Sequence, residues 1–335
     1  MTKNAVPIID IAPFLSGDAN GKAAVARQVA EACETIGFFA ISNHGVSQDI
    51  VENLREAAHT FFEQPDEIKR VAMHPVADTP RGFRELAGEA LGRTVEPGAN
   101  PDLKEFYHYG RETWPGDPYF TGPDGQSYFV PNLWPDEPAA FRKASLAYYE
   151  AMDGLIVDVI HIIALALGLP ETWFDDKTDK HATAARLNYY PLLKDGPPPG
   201  HIRAGEHTDY GMMTILMGED EAGGLQVRTR DGDWIDVETR PDFFIINIAD
   251  QLMRWTNDTW LSNMHRVVNP PAGSSPTRGR LSVGYFFQPN YDALIECIPT
   301  CTSPDNPPRY APVIAGKYRD LKYEQGNDVA DRENA

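Results

Sequence analysis

Helical periodicity dominates the first half of the chain, and short alternating runs dominate the second. Residues 21–36 (GKAAVARQVAEACETI) repeat apolar positions at helical spacing and stop at Gly37, where a glycine closes a helix. Residues 6–11 read as a short strand, and Phe38-Phe39-Ala40-Ile41-Ser42 as another that ends in Asn43-His44-Gly45. Residues 47–63 and 66–73 return to helical spacing. The 75–135 stretch is rich in Gly, Pro and aromatics with little periodicity, which predicts long loops around short elements. A long amphipathic helix follows over 137–168 and ends at Gly168-Leu169-Pro170.

The texture changes after residue 184. Apolar runs at 185–190, 212–217, 225–228, 234–238, 243–249, 264–268 and 280–287 alternate with turn signals, among them Asp195-Gly196, Gly223-Gly224 and Asp231-Gly232. Short strands at this spacing predict a β-sandwich or barrel. Phe243 to Ile248 is apolar on both faces, as a strand inside such a sandwich must be. Segment 191–200 (PLLKDGPPPG) is a loop and not a domain linker, because the strand pattern continues on both sides. One domain over 1–335 is expected, with a polar, frayed end at 325–335.

Composition narrows the function. The formal net charge of −19 and the pI near 4.8 argue against nucleic acid and against an anionic membrane surface, since both need a basic face. An anionic small molecule would still require local cations, so any arginine near a reactive centre gains interest. Cys33, Cys297 and Cys301 form neither a disulfide framework nor a zinc set. The N-terminal MTKNAVPIIDIAPF lacks a signal-peptide core, and Leu155–Leu169 is interrupted by Asp158 and His161 and too short to span a bilayer. These absences point to a cytoplasmic enzyme.

Candidate chemistry lies in the strand-rich half. In a strand, residues i and i+2 share a face, so His207 and Asp209 point to one side while Thr208 points away. His265 sits in the plausible strand Asn263–Val268. Two imidazoles and one carboxylate occupy one face of a non-haem Fe(II) centre and leave the other positions open. His201 competes as a ligand, but it lies in a Pro/Gly-rich loop without a partner at i+2. Arg280 and Ser282 share a face and make a ready carboxylate clamp. Arg186, Asn188 and Tyr190 likewise share a face, opposite Leu187 and Tyr189, which suits a polar cavity. Phe83, Tyr107, Tyr109 and Phe287 are aromatic candidates for a substrate pocket.

Taken together, these segments resemble the isopenicillin N synthase-like family of Fe(II)/2-oxoglutarate-dependent dioxygenases over nearly the whole chain. The resemblance runs from Val6-Pro7-Ile8-Ile9-Asp10 through Gly37-Phe38-Phe39, Asn43-His44-Gly45 and Asp102-Leu103-Lys104-Glu105. It continues through Arg186-Leu187-Asn188-Tyr189-Tyr190-Pro191, His207-Thr208-Asp209-Tyr210-Gly211 and Gly223-Gly224-Leu225-Gln226-Val227. Asn247-Ile248-Ala249-Asp250, Met264-His265-Arg266-Val267 and Arg280-Leu281-Ser282 complete it, with Ala249 where many relatives have glycine. The family implies an α+β fold with a mainly β core, a double-stranded β-helix (jelly roll) flanked by N-terminal helices and a long central helix. It places the N-terminal dioxygenase region at 1–120 and the jelly-roll core at 180–290. It implies Fe(II) on His207, Asp209 and His265. It implies 2-oxoglutarate on Arg280 and Ser282, assisted by Tyr190 and Asn188. The implied reaction uses O₂ and couples decarboxylation of 2-oxoglutarate to succinate with hydroxylation, desaturation or ring closure of a small organic substrate. Three other readings remain open at this point. They are an oxidase of the same fold that uses no 2-oxoglutarate, a zinc hydrolase on the same ligands, and a non-catalytic binding protein.

Overall fold

The computed structural model describes residues 5–333 except 77–78, 220–223, 272 and 275; for 325–333 it describes the helical backbone alone. The strands in chain order are β1 (Ile8–Asp10), β2 (Phe38–Ser42), β3 (Gly82–Arg84), β4 (Glu105–Gly110), β5 (Ala184–Tyr190) and β6 (Ala204–His207). They continue with β7 (Met213–Gly218), β8 (Leu225–Arg228), β9 (Trp234–Asp236), β10 (Phe243–Ile248), β11 (His265–Val267) and β12 (Arg280–Phe287). An eight-stranded sheet has the order β1-β2-β10-β7-β12-β5-β4-β3, and a four-stranded sheet has the order β6-β11-β8-β9. Neighbours in space are far apart in sequence, and the chain crosses repeatedly between sheets. This is the expected double-stranded β-helix.

Helices cover the outer face of the large sheet. Helix Ala19–Thr35 buries Val25, Val29, Ala32 and Cys33, the single stripe that its periodicity predicts. Its N-terminus is capped by Asp18, which accepts from the Gly21 N–H at 2.7 Å. Helix Gln48–Phe62 is capped by Ser47 and packs on the 28-residue central helix Ala139–Ala166. Between these helices and the sheet lies the main core, which includes Phe61, Tyr107, Phe141, Tyr148, Leu187 and Tyr285. A smaller apolar cluster, with Phe38, Leu225, Val227 and Phe243, lies between the two sheets.

Strand alternation decides which side chains reach the space between the sheets. On β12, Leu281, Val283, Tyr285 and Phe287 join the helix-side core, while Arg280, Ser282 and Phe286 face the opposite sheet. On β5, Leu187 and Tyr189 take the core side, and Arg186, Asn188 and Tyr190 the inner side. β4 repeats the division, with Tyr107 and Tyr109 in the core and His108 inside. The four aromatic pocket candidates are therefore corrected. Phe83, Tyr107, Tyr109 and Phe287 are at most 1% exposed and belong to the helix-side core. At β12 the difference is one residue, since Phe286 and not Phe287 looks inward.

Most predicted elements appear within a few residues of their expected bounds, and 225–228 and 280–287 coincide with β8 and β12. Some elements were not foreseen. β4 lies inside the 75–135 stretch read as loops, and the helix Ala315–Glu333 has a polar composition. Gly223 of the expected turn lies outside the described residues, as do the final two residues of the expected frayed end. Among the described residues no helix is long and apolar enough to cross a membrane. All three cysteines are free, two of them buried.

Gly37 closes the first helix at φ +69°, and an added Cβ would fall 2.2 Å from the Leu261 carbonyl oxygen. Gly17, at φ +79°, has open space around it. Urea unfolding should therefore separate the two. Gly17→Ala loses about 1 kcal/mol from backbone strain alone, and Gly37→Ala loses more than about 2 kcal/mol because the clash adds to the strain. Equal losses would show that the close approach at Leu261 is not a constraint.

Candidate metal centre and its cavity

β6 ends at His207 and β11 begins at His265, and these two residues are cross-strand partners. Their rings lie 4.3 Å apart, and Phe38 sets its edge against His265. Asp209 lies beyond the end of β6, so a strand-end turn and not strand alternation brings it round. The turn is held by the Asp250 N–H, which donates to the Asp209 carbonyl at 2.9 Å. One donor atom from each of His207, Asp209 and His265 lies within 4.8 Å of the others.

Each of the three side chains is oriented from behind. Nδ1 of His207 lies 2.7 Å from the Gly205 carbonyl, and Nδ1 of His265 lies 3.1 Å from the Asn263 carbonyl. A carbonyl only accepts, so a proton on Nδ1 satisfies each contact and leaves Nε2 as the free donor. Asp209 Oδ2 accepts from Thr214 Oγ1 at 2.5 Å and from Asn247 Nδ2 at 2.7 Å. Burial by itself would raise the Asp209 carboxyl, but the two imidazoles and these two donors outweigh it and hold it below the usual range. Burial, reinforced by His265, pushes the His207 imidazole well below its usual range. Two imidazoles and a carboxylate on one face form the donor set of a non-haem Fe(II) site.

β6, which ends in His207, is locked to a segment read from sequence as loop. Asp102, 1% exposed, accepts from the Gly205 N–H at 2.9 Å and from Lys104 Nζ at 2.9 Å. The 3₁₀ turn Leu91–Thr94 lies against β6 so closely that a Cβ on Gly205 would sit 2.5 Å from the Gly92 nitrogen. Glu89 receives Lys104 at 2.9 Å and Arg186 at 2.6 Å. Burial would raise its carboxyl, but the two cations outweigh that and hold it far below the usual range. Arg186 also stacks on Phe106, 3.6 Å from the ring centroid.

These residues enclose a cavity of about 170 Å³ between the two sheets, which the triad, Arg280, Ser282, Tyr190 and Asn188 all line. Arg280 pairs in register with Tyr190, and Ser282 with Asn188. The sequence-predicted clamp and the triad thus share one chamber. The β12 backbone is anchored by Glu219, which accepts from the Leu281 N–H at 2.7 Å and from His59 at 2.8 Å. His201 sits in its loop, with Nδ1 3.3 Å from the Pro199 carbonyl, and does not line the chamber.

Sequence reasoning assigned no role to Thr214 and Asn247, although each was a lone polar residue inside an apolar strand, in MTILMG and FFIINI. Arg81, Glu89, Lys104 and Tyr210 were missed as cavity residues because their segments carry little periodicity or end a strand.

Comparisons with known proteins agree with this geometry. Residues 6–137 match the family model described as non-haem dioxygenase in morphine synthesis N-terminal, and residues 182–289 match the 2OG-Fe(II) oxygenase superfamily. The 2-oxoglutarate-Fe(II) type oxidoreductase hxnY of Emericella nidulans is 34% identical over 329 residues, covering 95% of this chain and 91% of the relative. The chain belongs to the 2-oxoglutarate/Fe(II)-dependent oxygenases. A full-length Neurospora crassa protein, solved in complex with alpha-KG and thymine, is similar to this oxygenase with a TM-score of 0.81 and 30% identity, covering 98% of this chain and 97% of that one. JOX2 in complex with 2OG, Fe and JA has a TM-score of 0.76 and 30% identity, covering 96% and 86%. The cofactors of the oxygenase are accordingly Fe(II), 2-oxoglutarate and O₂. Of the readings left open by sequence, these matches support the 2-oxoglutarate-dependent oxygenase.

The hydrogen bonds behind Asp209 can be tested without touching a ligand. Thr214→Val combined with Asn247→Leu should weaken Fe(II) affinity by about 10- to 100-fold in an anaerobic chelator competition. Thermal melting would confirm that the double variant remains folded. Unchanged affinity would mean that the carboxylate needs no orientation.

Proposed function

We propose that His207, Asp209 and His265 hold the Fe(II) of this oxygenase, and that Arg280 and Ser282 receive the far carboxylate of 2-oxoglutarate, flanked by Tyr190 and Asn188. The observation that carries this assignment is the state of Arg280. It is 1% exposed, its Nε has no hydrogen-bond partner, and no carboxylate among the described residues pairs with it. A buried guanidinium without a counter-ion costs several kcal/mol, and a dicarboxylate entering the chamber removes that cost. The Ser282 hydroxyl, two residues along the same strand face, adds a donor to the same carboxylate.

When bound, Fe(II) and 2-oxoglutarate supply oxidative decarboxylation to succinate and CO₂, with O₂ as oxidant, and thereby hydroxylation of a C–H bond in a small organic molecule. The protein contributes position and exclusion of water. Thr214 and Asn247 fix the Asp209 carboxylate, the Gly205 and Asn263 carbonyls fix the imidazoles, and Leu216, Leu225 and Val267 give the chamber apolar walls. A small substrate is supported by the size of the cavity, about 170 Å³, and by thymine and JA in the two similar structures.

Iron-loaded protein should convert 2-oxoglutarate to succinate, and Asp209→Ala should abolish the conversion. Adding 2-oxoglutarate to the anaerobic Fe(II) protein should give a metal-to-ligand charge-transfer band. Arg280→Ala should raise the KM for 2-oxoglutarate by roughly 30-fold or more, because half of a buried charge pair costs about 2–5 kcal/mol. A variant with unaltered KM would remove Arg280 from the cosubstrate site.

A further inference from the structure

A second buried guanidinium opens on the same chamber. Arg81 is 5% exposed, with Nε donating to the Val130 carbonyl at 2.9 Å and Nη1 to the Pro80 carbonyl at 2.7 Å. Its Nη2 lies 2.5 Å from where a Gly110 Cβ would stand, so the glycine leaves room for the planar group. Among the described residues no carboxylate pairs with Arg81, and Nη2 has no hydrogen bond. Burial, with Arg319 as a repelling neighbour, pushes its pKa down to about 10.

Arg319, on the helix Ala315–Glu333, lines the chamber too. Its guanidinium sits 4.1 Å from the Tyr128 ring centroid and its Nε has no partner. Asp320 takes one Nη2 hydrogen bond at 3.1 Å, but shares its other oxygen with the Tyr128 hydroxyl at 2.7 Å. Strand register separates Arg81, which packs against Gly110, from Arg280. Gly110 pairs with Ala184 at one end of β5, and Arg280 pairs with Tyr190 at the other.

The charge balance points the same way. In a chain of net charge −19, the chamber is lined by five Lys and Arg side chains against two carboxylates. One carboxylate is the metal ligand Asp209, and the other, Glu89, is already held by Lys104 and Arg186. With 2-oxoglutarate answering Arg280, positive charge remains at the Arg81 end.

We propose that the primary substrate is a small aromatic molecule bearing a carboxylate, which is received by Arg81 and Arg319 at the end of the chamber away from Arg280. The proposal rests on the assignment of Arg280 to 2-oxoglutarate. The carboxylate supplies the missing counter-ion of Arg81, and the rings of Tyr210 and Tyr323, which line the chamber, offer flat walls to the aromatic body.

The test is a succinate-release screen of Fe(II)-loaded protein with paired probes: small aromatic and heteroaromatic carboxylates and the primary carboxamide of each. Stimulation by a carboxylate and not by its amide is the expected result. For that carboxylate, Arg81→Gln and Arg319→Gln should each raise KM by about 10- to 100-fold, the loss of one charge-assisted pair. Arg81→Lys should recover part of the effect. Affinity for 2-oxoglutarate, read from the charge-transfer band, should stay within about twofold, which also shows that each variant is folded. Amides as effective as acids, no stimulation by any carboxylate, or an unchanged KM in both glutamine variants would overturn the proposal. Absence of the charge-transfer band in the wild-type protein would instead overturn the cosubstrate assignment on which it rests.

Discussion

The two-residue alternation of the large sheet is the constraint on which the site depends. β4, β5 and β12 each present apolar side chains to the helices and polar ones to the opposite sheet. The helix-side face gains from burying Leu187, Tyr189, Leu281 and Tyr285, and that burial sets the register of all three strands. Once the register is set, Arg186, Asn188, Arg280 and Ser282 have one place to go. The stability of the fold and the polarity of the chamber are thus two faces of one pairing.

Within the chamber, burial sharpens the electrostatics. Asp209, Glu89 and Glu219 all lie where desolvation opposes ionisation, and all are held below the usual carboxylate range by neighbouring imidazoles, cations or N–H groups. Glu219 does this outside the chamber, where it anchors the Leu281 N–H. The cations fall into two groups. Lys104 and Arg186 already have Glu89, whereas Arg280 and Arg81 have no carboxylate among the described residues. This difference separates cations neutralised within the protein from cations that are buried without a carboxylate partner among the described residues.

The catalytic half was largely legible because its chemistry is written in strands. Arg280-Leu281-Ser282 and Arg186-Leu187-Asn188 declare their faces by alternation, and the structure seats them as their spacing requires. Asp209 reached the triad by a turn that alternation does not describe. The aromatic candidates failed for a different reason. Aromatic content does not say which face a residue takes, and Tyr107, Tyr109 and Phe287 lie on the apolar side of strands whose other face lines the chamber. Extending the alternation from Ser282 along β12 points to Phe286. Lys104 and Asp102 were illegible as site residues because an Asp-x-Lys-Glu run resembles a solvated surface; only tertiary packing shows that both are almost fully buried.

The contact between Gly92 and Gly205 has a consequence for how such an enzyme can change. Glu89 and Leu91, which border the substrate space, belong to the same segment that presses backbone to backbone on the strand ending in His207. With no side chain between them to act as a cushion, a shift of one is transmitted to the other. Remodelling this loop therefore moves His207 as well. The C-terminal helix, whose residues Arg319 and Tyr323 line the same cavity, packs on this turn as well, so a change on that side reaches β6 through the same glycine contact.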